Sequence, residues 1–132
     1  MIALDELVIK VRDYADLAVT DMQPETIAEA LVTLASYRVS LGQYVAKLER
    51  LANLAEAHYE QTREIAYRDS RNDNATVADS DNAKRLGAEQ ERQAWIKAHY
   101  EYRTVSNLWR DSENLLDAMR SKLSYKKSER RD

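Results

Sequence analysis

Apolar residues recur along the chain in alternating steps of three and four, and the longest such run extends from Pro24 to Tyr67 with no proline after its first residue. Ile27, Leu31, Leu34, Arg38, Leu41, Val45, Leu48, Ala52, Ala55, Tyr59, Thr62 and Ala66 make one stripe on one side of a helix. A second row, Tyr37, Tyr44, Leu51, His58 and Ile65, returns every seven residues and widens it. At 1.5 Å rise per residue such a helix reaches about 65 Å, and it cannot bury its stripe against itself. The partner lies downstream. Trp95, Ala98, Tyr102, Val105, Trp109, Ser112, Leu116, Met119 and Leu123 repeat the spacing, flanked by Leu108 and Leu115. A shorter pattern precedes both: Leu4, Leu7, Val8, Val11, Tyr14, Ala15 and Ala18 share one face, with Asp5, Glu6, Asp13 and Asp16 away from it.

These patterns predict one all-α domain over 1–132, with helices at about 3–19, 24–68 and 78–125 and a basic tail at 126–132. Thr20 to Gln23 break the first helix from the second, and Pro24 followed by Glu25 suits a helix start. Gly42 costs about 1 kcal/mol relative to Ala inside the long helix, but the Ala and Leu around it keep the helix continuous. From Asp69 to Asn82 the pattern stops, and Asp69-Ser70-Arg71-Asn72-Asp73-Asn74 is rich in residues that favour turns. Thr76, three residues before Asp79, is a candidate N-cap, with Ser80 or Asp81 as later ones, so the next helix starts between 76 and 82. Two long helices joined by a short polar segment pack as an antiparallel, coiled-coil-like hairpin, with the first helix against one end. Their broad stripes leave apolar surface over at Tyr37, Tyr44, Trp95 and Trp109, which predicts a homo-oligomer; a monomeric bundle is the plainer alternative.

Composition narrows the chemistry. Without cysteine there is no disulfide framework and no thiolate metal site. One proline and two glycines among 132 residues agree with helix nearly throughout. The net charge of −3 does not impose polyanion binding, yet the charge is unevenly placed. Residues 1–30 carry two cations against seven carboxylates, and residues 120–132 carry six cations against two. Such asymmetry suits head-to-tail subunit contacts or a basic tail touching nucleic acid. No apolar run approaches the ~20 residues of a membrane helix. The acidic start, Met1 to Glu6, lacks the features of a signal peptide, so a cytoplasmic location and no membrane partner are expected.

Ala57-His58-Tyr59-Glu60 and Ala98-His99-Tyr100-Glu101 are the same kind of tetrapeptide on the two long helices. A di-iron bundle needs Glu-x-x-His, whereas the positions three before the histidines hold Ala55 and Ile96. No metal site is expected, and His58 reads as an interfacial histidine. Gly42 and Gly87 are isolated, so no phosphate loop forms, and no nucleophile with its base is found. The chain is therefore expected to be no enzyme and to need no cofactor. More informative are the cations around the polar segment. Arg63, Arg68 and Arg71 close the long helix, Lys84, Arg85 and Arg92 open the next, and Tyr59 and Tyr67 are interleaved. Guanidinium forks suit phosphates and the rings suit bases. Eight nearby carboxylates offset them, and charge pattern alone favours surface pairs such as Glu60–Arg63 and Glu64–Arg68.

The segment Gln61-Thr62-Arg63-Glu64-Ile65-Ala66-Tyr67-Arg68-Asp69 and the later Leu116-Asp117-Ala118-Met119-Arg120-Ser121-Lys122 resemble the T4-type phage recombination mediators, the UvsY family. The resemblance covers about residues 45–127. It implies a small, helical, homo-oligomeric phage protein that binds single-stranded DNA and helps load a RecA-like recombinase onto strands covered by single-strand-binding protein. The family motif before the loop is Lys-x-Arg; Arg63 matches its arginine, while Gln61 replaces its lysine and removes one phosphate contact. Of the aromatic pair after that arginine only Tyr67 remains. By this resemblance Arg63, Arg68 and Arg71 hold phosphates and Tyr67 stacks on bases. Lys84, Arg85, Lys122, Lys126, Lys127, Arg130 and Arg131 assist, and Trp109, Leu115, Leu116, Met119 and Leu123 form the oligomer face. The alternative is a small helical protein-binding module without nucleic-acid binding, such as a phage adaptor or an inhibitor of a host defence protein, which the acidic first thirty residues would suit. A plain scaffold oligomer is a third reading.

Overall fold

The computed structural model describes residues 2–17 and 22–131, the side chains of residues 17, 130 and 131 excepted. Four α-helices take up nearly all of them: α1 (Leu4–Leu17), α2 (Pro24–Asn72), α3 (Val77–Leu86) and α4 (Glu89–Arg131). No strand occurs among the described residues, and none of the described helices is long and apolar enough to cross a membrane. α2 and α4 pack as the antiparallel hairpin that their stripes predict, and α1 is the shorter N-terminal helix. The chain divides into two compact units, Met1–Ala46 with Thr104–Asp132, and Lys47–Arg103.

In the first unit the core is made by three helices. Leu7 and Val11 of α1, Ile27, Leu34 and Leu41 of α2, and Val105, Leu116 and Met119 of α4 are all buried. The tyrosine row of α2 receives α1: Tyr44 donates its hydroxyl to the Ile2 carbonyl at 2.8 Å, and the Tyr14 and Tyr37 rings meet at 6.1 Å. Two polar residues interrupt the stripes, and they are each other's partners. Arg38 Nε donates to Ser112 Oγ at 2.8 Å, its Nη1 pairs with Glu113 at 2.7 Å, and the guanidinium lies 5.1 Å from the Trp109 ring. Ser112 in turn donates to the Trp109 carbonyl at 2.6 Å, so burial leaves neither group unsatisfied.

The second unit holds the turn. α2 runs past the expected end at 68 because the polar run closes its last turn rather than replacing it. Asn74 takes a positive φ of 64°, the Ala75 N–H reaches the Ser70 carbonyl at 3.2 Å, and the Asn74 N–H reaches that of Arg71 at 3.1 Å. That is a Schellman cap with asparagine in its left-handed position. Thr76 then caps α3, accepting from the Asp79 N–H at 3.1 Å, as the first of the candidate caps predicts.

The expected third helix is two helices, parted at Gly87 and Ala88. Gly87 has an ordinary helical backbone, so its glycine is needed for space rather than for conformation. A Cβ there would stand 2.8 Å from the Ala83 carbonyl oxygen and 2.9 Å from the Ala66 Cβ. α4 also continues to Arg131, absorbing the expected tail, since no glycine or proline stops it and cations suit a helix C-terminus. Of the first helix, Ala18 and Val19 lie outside the described residues, as do Thr20 and Asp21 of the break.

Candidate nucleic-acid interface

The aromatic and cationic residues of the second unit meet where α2, α3 and α4 pack together. Tyr59 holds a stripe position on α2 and Trp95 one on α4, so antiparallel packing brings the rings face to face, 5.7 Å apart and inclined by 8°. His99 and Tyr102 extend the contact along α4, at 6.4 Å from Trp95 and 6.3 Å from His99 respectively. One turn along α2 from Tyr59, Arg63 lays its guanidinium 5.2 Å from the Tyr59 ring and donates Nη1 to the phenol oxygen at 3.4 Å. Neither of the surface pairs that the charge pattern favours is formed. Arg63 turns to a ring rather than to Glu60, and Glu64 pairs with Lys84 at 3.4 Å rather than with Arg68.

α3 supplies the rest. Its last turn carries Lys84 and Arg85, and the close approach of Gly87 to Ala66 holds that turn against α2. Lys84 stands 5.8 Å from the Tyr67 ring while bound to Glu64. Tyr59, Arg63, Asp81, Lys84 and Arg85 line a cavity of about 260 Å³. Three cations and one carboxylate therefore face one space, with Tyr59, itself stacked on Trp95, as its aromatic wall. The volume falls below the ~300–1,000 Å³ of pockets that enclose a small molecule, and it suits a single phosphate of a passing strand.

The other expected contacts fall elsewhere. Arg68 is exposed and does not line the cavity, and Arg71 donates to the Ala75 carbonyl at 2.9 Å, which ties it to the cap of α2. Tyr67 carries Lys84 on its ring, so Tyr59 is the aromatic partner of the arginine. Lys122, Lys126 and Lys127 belong to the first unit, Lys122 and Lys126 both engaged in contacts there, and the side chains of Arg130 and Arg131 lie outside the described residues. Asp81 is the cavity's unforeseen member, and Trp95, which does not line it but backs the Tyr59 ring, could have been found from the pairing of the two stripes. No three metal-ligating side chains converge among the described residues. Of the expected oligomer face, Leu116 (3% exposed) and Met119 (1%) are spent in the core of their own chain; Leu115 and Leu123 are half-buried, and Trp109 alone of the five is exposed.

Comparisons of the chain with protein-family models, with curated proteins and with solved structures give no match.

Proposed function

We propose that the chain binds single-stranded DNA through the cavity of Arg63, Lys84 and Arg85, with the Tyr59–Trp95 pair beside the phosphates. The observation that carries this reading is the state of Arg63, half-buried on an aromatic ring with no ion pair among the described residues. A guanidinium so held keeps its donors for a phosphate and loses little side-chain freedom on binding. Lys84 and Arg85 add charge, and Glu64 and Asp81 moderate it, so one copy binds weakly and several copies on one strand bind together. The likeness of this segment to recombination mediators extends the proposal: a homo-oligomer that holds the strand while a RecA-like recombinase displaces single-strand-binding protein.

The test is fluorescence anisotropy with labelled oligo-dT at low and moderate salt. Binding should weaken steeply with salt, since each phosphate contact on a single strand contributes a slope of about −0.7. Arg63→Ala should weaken binding about tenfold, the equivalent of one charge-assisted hydrogen bond, and flatten that slope. Arg68→Ala should change it less. Absence of binding at low salt, or binding indifferent to Arg63→Ala, refutes the proposal. The protein-binding reading would then take its place, favoured by Leu51, Leu54, Ile65, Ile96 and Tyr100, which are exposed in the same unit. A pull-down that survives nuclease treatment would be its mark.

A further inference from the structure

The edge of α2 that α1 leaves uncovered in the first unit is apolar and has no cover among the described residues. Val32 is 73% exposed and Val39 66% exposed, and Ala35 and Gly42 alternate with them in steps of three and four. Ala28 and Ala46 continue the row at either end, and no charged residue falls on it between them. Trp109, 38% exposed, stands beside it on α4. Between the two helices a groove of about 350 Å³ is lined by Ala35, Val39, Gly42, Trp109 and Leu116, with Arg38 and Arg120 at its border. The face thus carries two projecting valines and a hollow of matching character.

We propose that this face joins two copies of the chain, α2 against α2 and antiparallel, about a two-fold axis near Tyr37. The order of side-chain sizes is what selects a second copy as the occupant. With the axis there, Val32 of each copy meets Gly42 of the other, Val39 meets Ala35, and Ala28 meets Ala46. Every large residue faces a small one, which is how two helices approach closely without voids. The hollow beside Trp109 receives the valines of the second copy. At the flanks, Glu29 comes opposite Gln43, whose amide can donate to the carboxylate, and Ser36 lies opposite Ser36. On the other flank the two Arg38 side chains come together, each held by Glu113 of its own chain at 2.7 Å. The row spans about 27 Å of helix, and with the two tryptophans such a seam approaches the ~1,000 Å² of a specific interface. This face is separate from the nucleic-acid cavity, and of the oligomer face that the family resemblance implies it shares only Trp109 and the groove edge of Leu116.

Light scattering and thiol cross-linking test it together, because a chain without cysteine reports only the cysteines introduced. The chain of 132 residues at high micromolar concentration should show the mass of two chains of 15.3 kDa, or an even multiple. Val39→Arg should halve that mass while circular dichroism stays helical, since Val39 lies outside the core of its own chain. A short bismaleimide should join two copies of Ser36→Cys but not of Ala28→Cys, whose sites lie about 27 Å apart in the antiparallel arrangement. A single-chain mass throughout, a mass unmoved by Val39→Arg, or cross-linking of Ala28→Cys as readily as Ser36→Cys would overturn the proposal.

Discussion

The two glycines of this chain invite the same substitution with opposite outcomes. Replacing either by alanine restricts the unfolded chain equally and brings about 0.5–1 kcal/mol in favour of the folded state. The folded states differ. At Gly42 the new methyl would lie 3.4 Å from Trp109 Nε1, ordinary van der Waals contact with a ring at the surface. At Gly87 it would lie 2.8 Å from a backbone oxygen and 2.9 Å from the Ala66 Cβ, and neither atom can swing aside. Relief there requires α3 to lift from α2, at an overpacking cost of about 1–3 kcal/mol. Gly42→Ala should therefore raise stability by about 0.5–1 kcal/mol and Gly87→Ala should lower it by about 1–2. In a chain of this size that is a gain of about 2–5 °C in Tm against a loss of about 4–8 °C. Thermal melts by circular dichroism, with both changes made on a Val39→Arg background so that association plays no part, would read the difference. Gly87→Ala should also weaken oligo-dT binding, because the turn it displaces carries Lys84 and Arg85. Shifts of the same sign at the two positions would refute the steric argument.

Other substitutions address single contacts. Arg38→Ala should cost about 2–3 kcal/mol, the worth of its charge-assisted bonds and stacking, whereas Arg38→Leu should recover about half by restoring apolar contact; urea titration reads both. Thr76→Ala removes the N-cap of α3 and should cost about 1 kcal/mol in the same assay. Asn74→Gly should be neutral or stabilising by a few tenths of a kcal/mol, and Asn74→Val should cost about 1–2, because a β-branched side chain resists the positive φ found there.

Periodicity made most of the architecture readable. All twelve positions of the α2 stripe are buried or half-buried, down to Arg38, whose polar counterpart Ser112 was already visible in the opposing stripe. The second row was harder, since a period tells which face is apolar but not what covers it. Tyr37 and Tyr44 meet α1, while Leu51 and Ile65 are exposed. At the break before α4 the need for glycine is tertiary, since a Cβ at Gly87 would meet Ala66 of α2, and that contact cannot be read from the local sequence. Among the cations, helical geometry held more than charge counting revealed. Arg63 and Arg68 are five residues apart, about 140° round the helix, so they could not line one cavity together.

The pairing of Arg38 with Ser112 and Glu113 also bears on how the hairpin chooses its register. Apolar repeats of seven are interchangeable, and a slip of one heptad would keep most of the stripe contacts. It would also set Arg38 against Val105 or Met119, both buried and unable to accept a hydrogen bond through a side chain. A guanidinium stranded in that way costs about 3–5 kcal/mol, several times what any one apolar layer could return. The single charged position in the stripe thus serves as the key of the assembly, contributing little to how strongly α2 and α4 join and a great deal to the one alignment in which they do.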